Sequence, residues 1–253
     1  MLFNHLCYSR AKWKGLPKRL LPWLMPLLEL LVLLPEPVIL KRVLWLGCLL
    51  SSLLLSASYT DTTFTPAFFA DVQQRYGDNA VARFTAWRDL LNKGAAESDW
   101  DRIHLANQFF NRQVSFKADI DHWRKTDYWA TPVESLGSGA GDCEDYAIAK
   151  YFSLRAMGVA DEKLRLMYVR ALTVNEPHMV LVYFESPEQM PYVLDNMDPE
   201  IKLAQYRTDL RPIYSFNASG LWLAKANGLG RRVKDSSGIY NWTAVLDKIE
   251  QGL

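Results

Sequence analysis

A chain of 253 residues, 49% of them hydrophobic and 13% aromatic, can bury a substantial core; this excludes a disordered chain and fits one globular domain with an N-terminal extension. Formal net charge is +1, but residues 1–42 hold seven basic side chains (Arg10, Lys12, Lys14, Lys18, Arg19, Lys41, Arg42) against Glu29 and Glu36, leaving 22 basic and 26 acidic residues from residue 43 onward. With no basic surplus in the globular part, the charge argues against nucleic-acid binding.

Residues 1–58 read as a targeting extension and residues 59–253 as the working domain. Lys41 and Arg42 precede an uncharged run, Val43 to Leu55, that exits through Ser56, Ala57 and Ser58, the order of a secretory signal. The run falls short of the roughly 20 residues a membrane-spanning helix needs, so export and cleavage are expected, with no stable membrane insertion afterwards. The apolar stretch before it, Leu20 to Leu40, is broken by Pro22, Pro26, Pro35 and Pro37 and makes a poor membrane helix. Starting at Met25 would give a signal of more ordinary length. Cys7 and Cys48 lie in the removed segment, so the mature chain keeps Cys143 alone: either a buried small hydrophobe or a reactive thiol.

In chain order, Thr65 and Pro66 start a helix, cap then first-turn proline, leading to Phe68, Phe69 and Val72. Val81, Phe84, Trp87 and Leu91 recur at helical spacing over 79–91, ended by Gly94, and a third helix is expected over 100–111 from Ile103, Leu105, Phe109 and Phe110. Residues 114–141 look irregular, ending in the flexible small-residue run Gly137, Ser138, Gly139, Ala140, Gly141. A central, alanine-rich helix follows and stops at Gly158. The period then changes to two, predicting strands over 164–169, 179–184 and 192–194, then 214–216 and 221–223 joined through Asn217 and Gly220, with a closing helix over 240–249. Helices followed by an antiparallel meander define an α+β domain.

Cys143 falls in the opening turn of the central helix, where unpaired N–H groups and the helix dipole favour a thiolate and could hold a developing oxyanion. His178 opens the second predicted strand and Asp195 closes the third. Adjacent antiparallel strands can bring the two together, so that Asp195 orients His178 and His178 serves Cys143. The spacing alone equally allows His178 to be a strand-edge residue and Asp195 the start of a turn.

From Trp129 to Phe152 the chain reads WATPVESLGSGAGDCEDYAIAKYF, and later segments read HMVLVYF and YVLDN. These runs resemble the bacterial transglutaminase-like cysteine proteinases of the periplasmic LapG type, from about Phe64 to Leu246, with Cys143, His178 and Asp195 in the family's order. The resemblance implies a papain-like, transglutaminase-like α+β fold with the cysteine helix packed on an antiparallel sheet. It also implies a calcium-dependent periplasmic endopeptidase that cuts the N-terminal region of a large repeat-rich surface adhesin at paired alanines and so promotes biofilm dispersal. An inner-membrane cyclic-diguanylate receptor that sequesters the protease is implied as partner. Asp142, Glu144 and Asp145 crowd the thiol with carboxylates and match the family's calcium ligands; a Ca²⁺ ion would offset their charge, whereas helix capping accounts for Asp142 and Asp145 and leaves Glu144 over. Trp123 and Trp129 could line a substrate groove or serve the oxyanion but suit a core, and His104 and His122 read as structural. The sequons at Asn217 and Asn241 carry no meaning in a bacterial periplasm. The same triad would also serve a transglutaminase-like acyltransferase or a hydrolase of peptidoglycan peptides.

Overall fold

The computed structural model describes residues 63–186, 188–223 and 230–251; the expected targeting extension lies outside them. The Thr65 hydroxyl accepts from the Phe68 N–H at 3.1 Å, and Pro66 occupies the first turn of α1 (Pro66–Tyr76). Next come α2 (Asp78–Gly94) and α3 (Asp99–Gln113), the latter capped by Ser98. All three run slightly beyond the ranges expected from periodicity because the caps, not the last apolar residue, set their ends. Their apolar stripes meet in an aromatic cluster in which Phe64 contacts Trp87 and Phe68 contacts Phe84 edge to face, with ring centroids 5.3 and 5.2 Å apart. Each such pair contributes about 0.5–1.5 kcal/mol beyond its buried area.

Residues 114–141 are more ordered than their composition suggests. β1 (Ser115–Phe116) pairs in parallel with β2 (Ala140–Gly141), and between them lie the short α4 (Asp119–His122) and α5 (Pro132–Ser138). Helix α5 forms in a glycine- and serine-rich stretch because Thr131 and Glu134 make a reciprocal capping box around Pro132. It ends at Gly139, whose φ of 71° is left-handed. Arg83 from α2 donates to the Leu136 and Gly137 carbonyls at 2.5 and 2.7 Å, satisfying groups that the end of α5 leaves open. The expected flexible loop is thus a capped and anchored helix.

Helix α6 (Cys143–Ala156) follows directly. It is buried almost all round, with Ala147 and Ala149 small enough to let neighbouring elements approach closely and Ile148 and Leu154 filling the core. Truncating Leu154 to alanine is expected to cost about 2–5 kcal/mol through the cavity left behind.

The sheet contains β3 (Leu164–Ala171), β4 (Glu176–Tyr183), β5 (Tyr192–Leu194), β6 (Lys202–Leu203), β7 (Leu210–Phe216), β8 (Leu221–Leu223) and β9 (Arg232–Lys234). Every neighbouring pair is antiparallel. The order is β6-β5-β4-β3-β7-β8-β9, so the expected simple meander is corrected: after β6 the chain returns to pair β7 with β3. Strands β6 and β9 were not expected, since two or three residues offer no readable period. Leu164, Leu166, Met179, Leu181, Leu194 and Phe216 join α6 in the main core, while Val169, Val180, Val182, Phe184 and Val193 form a second cluster. The turn between β7 and β8 is built by Asn217, whose amide donates to the Asp161 and Leu164 carbonyls. The last helix, α7 (Tyr240–Glu250), inserts Trp242 against Tyr151, Phe152 and Phe216 and so braces α6 from the C-terminal end of the chain.

Candidate active site

Cys143 is the first residue of α6, delivered there by β2. Gly141 is required two residues before it, because a Cβ at that position would lie 2.7 Å from Asp145 Oδ2. The thiol is partly buried and borders a cleft of about 520 Å³ that His178 also borders. Its Sγ donates to Glu144 Oε2 at 2.9 Å, and no hydrogen bond joins it to His178. Burial pushes the thiol well above its ordinary range, the charges of Glu144 and Asp142 push it further, and the Met179 N–H opposes them.

His178 and Asp195 do meet. The imidazole Nε2 lies 2.8 Å from Asp195 Oδ1, with the side chains 4% and 0% exposed. Strands β4 and β5 pair through Leu181 and Leu194, which brings the start of β4 alongside the chain leaving β5. The Met197 N–H also donates to Oδ1, at 3.0 Å, while Oδ2 accepts from Arg207 Nη2 at 2.7 Å. Burial alone would raise the Asp195 carboxyl; hydrogen bonds and charge from His178, then from Arg207, outweigh it and bring it down to about 2. The Asp195 carbonyl accepts from Asn111 Nδ2 of α3 at 2.8 Å and from Lys150 Nζ of α6 at 3.1 Å. Lys150 is fully buried, and burial lowers its ammonium to about 7 despite the nearby Asp195 charge.

Asp142, Glu144 and Asp145 cluster beside the thiol, joined by two residues that the sequence did not single out, Asp119 of α4 and Asp127. Possible ligand atoms of Asp142, Cys143 and Glu144, of Asp119, Asp142 and Asp145, and of Asp119, Asp127 and Glu144 each lie within 4.8 Å of one another. Asp145 accepts from the Ala130 N–H at 2.7 Å and from the Asp142 N–H at 3.3 Å, one half of the capping arrangement anticipated for this turn. Glu144, left over by capping, is the thiol's acceptor. Asp119 accepts from the Tyr128 N–H through Oδ2, yet its Oδ1 and Asp142 Oδ1 are buried with no partner. Burial and then mutual repulsion raise Asp142 to about 9; Asp119, Glu144 and Asp145 also shift upward, with burial the largest cause. Buried carboxylate oxygens without donors, arranged in overlapping groups, are what a hard cation requires, so the residues present fit calcium.

The cleft wall comes from elements distant in sequence. Tyr168 of β3 stacks on Tyr214 of β7 with centroids 5.1 Å apart, and Trp129 lies against Phe216 with its indole N–H donating to Asp127. Asn241 of α7 donates to Asp127 Oδ2 at 2.9 Å. Trp129 therefore belongs to both core and cleft, while Trp123 packs on His122 and Tyr128 and does not line the cleft. His104 bonds the Trp100 carbonyl and His122 bonds Ser138, consistent with structural roles. For these further members the sequence offers only a few acids within 119–127 and a basic residue between Asp195 and Asp209, neither of which marks a site before the fold brings its partners close.

Comparison with known proteins gives this geometry a family. The family described as bacterial transglutaminase-like cysteine proteinase matches the chain over residues 60–222. Among solved structures, Legionella pneumophila LapG is similar at 39% identity and a TM-score of 0.62, covering 72% of this chain and 97% of that one. The EGTA-treated and calcium-bound structures of the same Legionella protein match with the same values. No curated protein matches the chain. The family match spans Cys143, His178 and Asp195, and likeness of sequence and of fold agree: the chain belongs to the bacterial transglutaminase-like cysteine proteinases and is a cysteine peptidase.

Proposed function

We propose that the chain is a calcium-dependent periplasmic endopeptidase acting through Cys143, His178 and Asp195, and that it cleaves the N-terminal region of a large surface adhesin at paired alanines, releasing it and dispersing a biofilm. The observation that carries the reading is that His178, held from behind by Asp195, borders the same cleft as a cysteine at a helix start. Asp195 engages Nε2, which leaves Nδ1 as the base. His178 takes the thiol proton there, the sulfur adds to the substrate carbonyl, and the imidazolium returns the proton to the departing amine. Water, deprotonated by the same imidazole, then hydrolyses the thioester. The Cys143 N–H, at the positive end of α6, faces the developing oxyanion. Tyr168, Tyr214 and Trp129 fill much of the cleft wall, which favours a substrate segment of small side chains.

Asp119, Asp142, Glu144 and Asp145 would hold the calcium ion, with Asp127 beside them. When bound, the ion supplies positive charge that offsets the carboxylates around the thiol. The calcium-bound structure of the similar Legionella protein supports calcium as the ion. Export to the periplasm, and sequestration by an inner-membrane cyclic-diguanylate receptor, follow from the same family reading. The test is cleavage of the N-terminal fragment of a repeat-rich adhesin from the same genome, with products weighed in the presence of an amine donor. Cys143→Ala and His178→Ala are expected to abolish cleavage, and EGTA to suppress it. Full activity of either variant rejects the assigned role, and amine-linked products favour the acyltransferase reading.

A further inference from the structure

Asp195 is 1% exposed, and its carboxylate would be free to turn about its side-chain bonds if only His178 held it. The buried guanidinium of Arg207, from the connection between β6 and β7, takes the second oxygen at 2.7 Å. That guanidinium is itself fixed from the other side: Asp209 accepts from Nε at 3.0 Å and from Nη2 at 2.8 Å, and Asp198 Oδ2 lies 3.9 Å from Nε. A two-point grip by a carboxylate sets the plane of an arginine as a single contact cannot. Oδ1 then has only one orientation left, shared between the Met197 N–H and His178 Nε2. Lys150 and Asn111 hold the main chain of the same residue. Of this chain of contacts only His178 reaches the cleft, so the effect of Arg207 on substrate is indirect.

We propose that Arg207, steadied by Asp209, is a positioning residue that locks the Asp195 carboxylate toward His178 and thereby fixes the imidazole with Nδ1 toward the thiol. The proposal rests on the triad reading above. Removing a group that orients a functional ligand from behind lowers activity by about 10–100-fold, less than removing the ligand itself. In Arg207→Gln, kcat on the adhesin fragment is expected to fall by that factor with KM unchanged; Arg207→Lys, which keeps charge but loses the two-point grip, should recover part of the loss. Asp209→Asn should have a smaller effect in the same direction.

The deciding measurement needs no substrate. In proton NMR, the His178 Nε2–H resonance of the wild-type chain should stand far downfield and exchange slowly with water. In Arg207→Gln and Arg207→Lys it should move upfield and exchange faster, while the melting curves show folded protein. A merely structural arginine would lower the melting temperature and leave both the resonance and the kcat of the folded fraction unchanged, and that result overturns the proposal. If Arg207→Gln does not fold, the lysine variant carries the same comparison. A wild-type chain that cleaves nothing, yet whose His178 resonance responds to Arg207, rejects the endopeptidase reading and leaves the positioning role standing.

Discussion

At the Asp195 end of the site both oxygens of a buried carboxylate have donors, whereas beside Cys143 two buried carboxylate oxygens, Asp119 Oδ1 and Asp142 Oδ1, have none. The residue type is the same, and the oxygens compared are buried in both places. What differs is a resident cation. Arg207 neutralises Asp195, while among the described residues no lysine or arginine forms an ion pair with Asp119, Asp127, Asp142, Glu144 or Asp145. Against the effect of burial, hydrogen bonds and charge from His178 and then from Arg207 drive the Asp195 carboxyl down to about 2, while burial and mutual repulsion drive Asp142 up to about 9. A carboxylate supplied with its own counterion serves geometry at any ionic composition; a set left without one makes the site answer to a cation from outside.

The largest way to break the contrast is to remove charge from the self-sufficient end. Asp195→Asn keeps shape but not charge, and kcat should fall by at least about 10²-fold; the equivalent change in a serine-protease triad costs about 10⁴-fold. A variant with wild-type kcat would show that the pair is only structural.

Emptying the other end of charge comes next. With calcium a hundredfold above its Kd, the wild-type chain should gain about 2.7 kcal/mol against unfolding. Asp142→Asn combined with Glu144→Gln should lose that gain, read by calorimetry with and without EGTA. An unchanged calcium response in the double variant would move the ion elsewhere.

The smallest effect sharpens the comparison through pH. Carboxyls of the unfolded chain titrate near about 4, and those of the calcium-free acid cluster are raised when folded. Between about 4 and about 9 the folded state therefore holds more protons, and this contribution to stability is lost as pH rises through that window. The contribution of Asp195 has the opposite sign: it is present above about 4 and lost as pH falls toward about 2. Melting temperatures measured without calcium should decline toward alkaline pH, and calcium should flatten that decline. A calcium-induced shift independent of pH over this range would contradict the raised carboxyls.

The sequence carried the long elements well, because Phe84, Trp87 and Leu91 on one helix and Leu164 and Leu166 on one strand repeat at the period of their structure. It under-read residues 114–141, where glycine and serine mask a helix that the Thr131–Glu134 capping box and distant Arg83 stabilise. Cys143, His178, Asp195 and the three acids around the thiol, proposed here as the site, were singled out from the sequence by motif and family likeness. Asp119, Asp127 and Arg207 were not, since each acquires its meaning from a partner brought close only by folding: Asp142 and Glu144 for the first two, Asp195 for the third. The return of β7 to β3 is likewise a long-range pairing that no local period records.

The two-residue ladder of β1 and β2 closes a loop at its base. Ser115 N–H bonds the Gly139 carbonyl at 3.0 Å and Lys117 N–H the Gly141 carbonyl at 2.9 Å, so the excursion bearing Asp119 is tied shut next to the turn bearing Asp142. An ion bound there would meet ends that are already together and would spend little of its affinity on ordering them. Its withdrawal would then alter the potential at the sulfur without the ladder having to open.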